Sequence, residues 1–132
     1  MHTAAMFTLF APLLLAAASP SPALYCTVTD GDTIRCGGER VRLIGIDAPE
    51  LPGHCRHNRQ CAAGDAAAST AALAQLVHGK PVVLERHGTD HYGRTLAFAR
   101  VGRVDLSCAQ LRAGRAIYVA AWDINGRVRR CQ

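Results

Sequence analysis

At 132 residues the chain has room for one domain, which excludes a multidomain arrangement. It is 49% hydrophobic and 19% charged with a formal net charge of +5, an ordinary balance for a globular protein that on its own identifies no partner. Every basic residue except Lys80 is Arg, the side chain whose fork suits phosphate geometry.

Residues Met6 to Ala18, MFTLFAPLLLAAA, form an uncharged apolar block, interrupted by Pro12 and too short to cross a bilayer as a helix. Small residues follow at Ala16-Ala17-Ala18 and Ser21-Pro22-Ala23. This layout predicts a signal peptide over 1–23, cleaved after Ala18 or Ala23, and a mature domain over 24–132. The Met1 to Ala5 segment departs from the pattern in lacking Lys and Arg. Export predicts a secreted or periplasmic monomer with no stable membrane association after cleavage. It also makes sense of six cysteines, all beyond the leader, because an even count in a small exported domain predicts disulfides. Neighbour pairing is favoured: Cys26 with Cys36, Cys55 with Cys61, and Cys108 with Cys131. Other connectivities stay open.

Leu24 to Thr29 reads as a strand, TDGDT as a turn in which Gly31 is free to take positive φ, and Thr33 to Cys36 as a second strand. Gly37-Gly38 turns the chain into a third strand over Glu39 to Ile46. A polar loop, LPGHCRHNRQCAAG, leads to a helix that Asp65 caps and Gly79 ends, with Leu73, Leu76 and Val77 as its apolar stripe. Pro81 to Arg86 is a fourth strand, GTDHYG a turn, and Arg94 to Val101 a fifth strand. Asp105 caps a second short helix that stops at Gly114; AIYVAAW offers one more short strand, and DINGRVRRCQ is read as an irregular tail. The expected fold class is α+β: a five-stranded Greek-key β-barrel of the OB type with two helices. An α+β sandwich is the alternative.

The chemistry concentrates between Thr29 and Glu50. Asp30, Asp32, Arg42, Asp47 and Glu50 lie in or at the ends of predicted strands. Carboxylates at strand ends can converge on a hard cation, and an Arg between them can hold an anion in two-point contact. Acids, a cation and Arg are the parts that cleave a phosphate ester. Strict alternation puts Arg42 and Asp47 on opposite faces, so this chemistry requires a bend, for which Gly45 is the cheapest position.

Three motifs in this order, DGDT at Asp30 to Thr33, RLIGIDAPE at Arg42 to Glu50 and DHYGR at Asp90 to Arg94, make the chain resemble the staphylococcal nuclease (thermonuclease) family from about Val28 to Val119. The resemblance implies an OB-fold phosphodiesterase acting on DNA and RNA, with single strands preferred. It implies Ca²⁺ held by Asp32, Asp47 and the carbonyl of Ala48, and Glu50 as general base or orienter of the attacking water. It implies Arg42 and Arg94 on the scissile phosphate, Tyr92 near a nucleotide phosphate, and Asp30 near the metal but not bound to it. Tyr118 is the nearest candidate for the base-stacking tyrosine and aligns only with a gap. The family's C-terminal helix is expected to be missing or shortened, with Cys108–Cys131 supplying some of its anchoring.

Plainer readings stand beside these. Asp30 and Asp32 read alone are turn residues; a zinc site from His54, Cys55, His57 and Cys61 fits no standard spacing. Trp122 and Tyr118 read as packing residues, and the Arg-rich tail as a solvated surface. The rival function is a non-catalytic OB-fold nucleic-acid-binding module.

Overall fold

The computed structural model describes residues 11–17 and 22–132. The leader expected over 1–23 lies largely outside the described residues. From Leu24 onward the chain folds around one curled sheet. Its strands are β1 (Cys26–Asp30), β2 (Thr33–Cys36), β3 (Glu39–Leu43), β4 (Ile46–Asp47), β5 (Val83–Thr89), β6 (Thr95–Val101), β7 (Val104–Asp105) and β8 (Ile117–Tyr118). Two helices, α1 (Ala66–Val77) and α2 (Leu106–Arg112), complete the α+β class expected.

The main sheet runs β1-β2-β3-β6-β5, with β7 beside β6. Pairing is antiparallel except between β3 and β6, which run parallel, with Val41 opposite Thr95 and Leu43 opposite Ala97. The two outer strands approach each other at one antiparallel bridge, where the Val82 amide donates to the Leu24 carbonyl at 2.7 Å. The sheet thus curls in the OB manner without a full ladder at its seam. The long third strand of the sequence reading is divided: Gly45, at φ +81°, turns the chain between β3 and β4, and β4 pairs with β8 rather than with the main sheet.

Burial explains why these segments form these elements. β6 is central and covered on both sides, so Ala97, Phe98 and Ala99 are all buried in succession, while most of β5 is exposed. Ile34, Val41, Leu43, Ile46, Leu73 and Leu106 fill the space between sheet and helices. Asp65 caps α1 by accepting from the Ala68 amide at 2.9 Å, and Asp105 caps α2 by accepting from Cys108 at 3.0 Å. Leu73 and Val77 bury the stripe of α1.

One local expectation changes. Gly31 does not take positive φ; a Cβ there would lie 1.8 Å from Ser69 Oγ, so close approach to α1 is what requires glycine. The tail from Asp123 has little regular structure, as expected, but it is firmly packed. A 3₁₀ turn over Ala120–Trp122 and another over Arg129–Cys131 carry fully buried Val128 into the core, packed over Gly45. Asp123 organises it, accepting from the amides of Ile124, Val128 and Arg129 and from the Tyr118 hydroxyl at 2.7–3.1 Å. Disulfides join Cys26 to Cys36 across β1–β2, Cys55 to Cys61 within the loop after β4, and Cys108 on α2 to Cys131 in the tail. Among the described residues no helix is long and apolar enough to cross a membrane.

Candidate active site

The turn after β1 and the end of β4 meet at Arg42. Its side chain is buried, and Nη2 lies 3.3 Å from both Asp32 Oδ2 and Asp47 Oδ1. Nη1 donates to the carbonyls of Ile46 at 3.0 Å and Leu43 at 3.2 Å, so the guanidinium reads the backbone of the bend as well as its acids. Gly45 makes this possible by breaking the strand alternation that would have sent Arg42 and Asp47 apart.

Asp32 is fixed from three directions. Oδ1 accepts from the Thr33 hydroxyl at 2.8 Å, Oδ2 accepts from the Ala48 amide at 2.7 Å, and Arg42 lies beyond. The DGDT turn and the IDAP segment therefore lock each other. Asp30 is turned to the other side, where it accepts from the Leu51 amide at 3.0 Å and lies 2.9 Å from His54 Nδ1.

Glu50 does not stand alone. Arg59, from the loop closed by Cys55–Cys61, donates through Nη1 to Glu50 and through Nη2 to Asp47 at 2.9 Å. Burial raises the Asp32 pKa, with Arg42 opposing that rise. Burial also raises that of Glu50; Arg59 opposes the rise, while Asp32, Asp30 and Asp47 add to it through like-charge repulsion. Arg42 is pulled down by burial, and Asp32 and Asp47 pull it back.

Arg42 and Arg59 reach from these acids into the lining of a cavity of about 490 Å³, which Tyr92, Arg94, Trp122, Asp90 and Asp123 also line. Arg94 is set there by the turn between β5 and β6. Asp90 accepts from the amides of Tyr92 and Arg94 and from Arg94 Nε at 2.8 Å, which ties the guanidinium to its own turn. The Tyr92 ring lies 5.4 Å from the Arg94 guanidinium and 3.6 Å from that of Arg56. Trp122, half exposed, stands 5.3 Å from Arg42 and 5.9 Å from Arg59. Tyr118 lies outside this lining, with its hydroxyl committed to Asp123.

The structure thus brings together Arg42, Asp32, Asp47, Ala48 and Glu50, and places Arg94 and Tyr92 across the cavity. Sequence reasoning missed Arg59 and Trp122. The only signal for Arg59 is its place inside a short cysteine-bounded loop; Trp122 reads from the sequence as a packing residue, whereas it forms a wall of the cavity.

The donor set suits a hard divalent cation. Asp47 Oδ2 makes no hydrogen bond among the described residues, and the acids gathered here repel one another. All-oxygen donors of this kind match Ca²⁺ or Mg²⁺ rather than a thiolate-seeking metal. Glu50, Cys55 and Cys61 also cluster, but the two sulfurs are bonded to each other and offer no thiolate.

Comparison with known proteins points the same way. A family described as "Staphylococcal nuclease homologue" matches residues 40–130. An "Uncharacterized endonuclease" of Haemophilus influenzae is 35% identical over 94 residues, 67% of this chain and 47% of that protein. The "Succinoglycan biosynthesis protein ExoI" of Rhizobium meliloti is 34% identical over 96 residues, 69% of this chain and 49% of that protein. The chain spans about half the length of these curated relatives.

Proposed function

Because the chain belongs to the staphylococcal nuclease homologue family, we propose that it is an exported, Ca²⁺-dependent nuclease hydrolysing phosphodiester bonds of DNA and RNA. The observation that carries this reading is the convergence at Arg42: Asp32 and Asp47, distant in sequence, both lie 3.3 Å from its Nη2, and Arg94 lines the same cavity.

Asp32, Asp47 and the Ala48 carbonyl would hold the cation, which when bound offsets phosphate charge and makes a water easier to deprotonate. Glu50 takes the proton of the attacking water, a task for which a carboxyl raised from its ordinary value by burial is better matched. Arg42 and Arg94 receive the negative charge that grows on the phosphoryl oxygens as attack proceeds, so they hold the transition state more tightly than the substrate. Tyr92 lies beside that phosphate. Asp32, Asp47 and Glu50 are not part of the cavity lining, and the two carboxylates that are, Asp90 and Asp123, are engaged by Arg94 and by Tyr118 and the tail amides, while Arg42, Arg59 and Arg94 present positive charge to a polyanion.

Three disulfides support a secreted or periplasmic location, in which the leader, residues 1–23, is removed and the mature domain acts as a monomer.

The test is hydrolysis of denatured DNA and of RNA by the purified protein, with Ca²⁺ and then with excess chelator, beside a Glu50→Gln variant. Turnover that needs the cation and falls at least about 10²-fold in Glu50→Gln is expected. Salt-sensitive binding of DNA with no cleavage under any divalent cation would identify a binding module instead.

A further inference from the structure

Arg59 does not act as an ordinary surface charge. One guanidinium spans two carboxylates, Nη1 on Glu50 and Nη2 on Asp47, with its side chain 27% exposed. It is delivered by a loop whose ends are joined by Cys55–Cys61, six residues apart in sequence. Arg56, in the same loop, lies with its guanidinium 3.6 Å from the Tyr92 ring and makes no ion pair with a carboxylate among the described residues. Arg59 is therefore held within reach of the acids and cannot be carried off into solvent with a mobile chain.

The place it fills has a second claimant. Asp47 Oδ1, which accepts from Arg59 at 2.9 Å, also lies 3.3 Å from Arg42, so this oxygen already serves two guanidiniums. Asp47 Oδ2 stays open to a divalent cation, but the two guanidiniums held on Oδ1 put positive charge beside any ion that binds there. Resting on the nuclease reading above, we propose that Arg59 is a positioning residue that clamps Asp47 to Glu50 and yields Asp47 on cation uptake, thereby setting the cation affinity of the site. Its fork is matched to two separated carboxylates in a way that a lysine ammonium is not. The clamp keeps mutually repelling acids in register while no cation is bound, and leaves Glu50 oriented after Asp47 is released.

The sequence contains a single tryptophan, Trp122, 5.9 Å from the Arg59 guanidinium, so movement of Arg59 has a built-in optical reporter. The experiment is calorimetric titration of Ca²⁺ into the purified protein without substrate, for wild type, Arg59→Gln, Arg59→Lys and Arg56→Gln, with Trp122 fluorescence followed in parallel. Arg59→Gln is expected to bind Ca²⁺ roughly five- to tenfold more tightly, the order set by a partly buried charge-assisted contact that no longer opposes the ion. Arg59→Lys should tighten binding by less. Arg56→Gln removes the same charge from the same loop without touching a carboxylate and should stay at the wild-type value. Wild type should show a fluorescence change on Ca²⁺ addition that Arg59→Gln lacks.

Unchanged or weaker Ca²⁺ binding in Arg59→Gln overturns the inference, as does equal tightening in Arg56→Gln, which would reduce the effect to net charge. If Arg59→Gln does not fold, Arg59→Lys decides: tighter binding supports the clamp and unchanged or weaker binding overturns it. Wild type that takes up no divalent cation sinks the inference together with the nuclease reading; wild type that binds Ca²⁺ while Arg59→Gln gains nothing sinks the inference alone.

Discussion

Arg42 is buried between two aspartates, and removing one partner of a buried charge pair leaves the others uncompensated. Arg42→Ala is therefore expected to lose stability as well as rate. Arg94 rests on Asp90 in its own turn and is the cleaner probe: Arg94→Ala should cut turnover roughly 10²–10³-fold with little change in melting temperature, read by initial rates and by calorimetry. Gly31 separates two kinds of information. Its presence in DGDT was legible, but the reason, contact with Ser69 at what would be 1.8 Å from a Cβ, belongs to a helix far along the chain. Asp32, Asp47 and Arg42 are brought together with Glu50 nearby and Arg94 lining the adjoining cavity, while Asp30 is turned aside; Arg59 escaped because nothing in a polar loop states where its side chains will land.

At the scale of elements, capping chemistry and apolar spacing made α1 and α2 legible almost to the residue, since Asp65 and Asp105 act locally. The packing of the tail was not legible, because its order comes from one carboxylate, Asp123, gathering donors from several residues, and from Val128 filling the space over Gly45. A polar run with one valine carries no periodicity to announce that. Val128→Ala should cost about 1–3 kcal/mol in urea unfolding, as expected for emptying a fully buried site. Cys131→Ser should cost about 2–4 kcal/mol by the same measurement, because it frees the tail from α2. The two changes act on one short segment, so their sum should fall short of additivity.

For the molecule as a whole, long-range register was the hidden part: β4 leaving the main sheet for β8, and β3 lying parallel to β6, depend on partners remote in sequence. One such contact gives a pH signature. Hydrogen bonds from Arg86 on β5, and then from Thr95 on β6, hold Glu39 down at about 2, against an ordinary value of 4.5. A folded value below the unfolded one stabilises the protein fully above pH 4.5, and that contribution drains away as pH falls from there to about 2. Glu39→Gln should accordingly melt below wild type at pH 7, and the gap should close by about pH 2 in a calorimetric series. The bridge from Val82 to the Leu24 carbonyl has a different consequence, one of maturation. Removal of the leader after Ala23 would set a new, positively charged chain end on the very residue that draws the two rims together, whereas removal after Ala18 would leave a short arm ahead of it. Under the proposed export, the choice of processing site would be a choice about how the front of the molecule is shut, readable from the intact mass of the mature protein and the exchange rate of one amide.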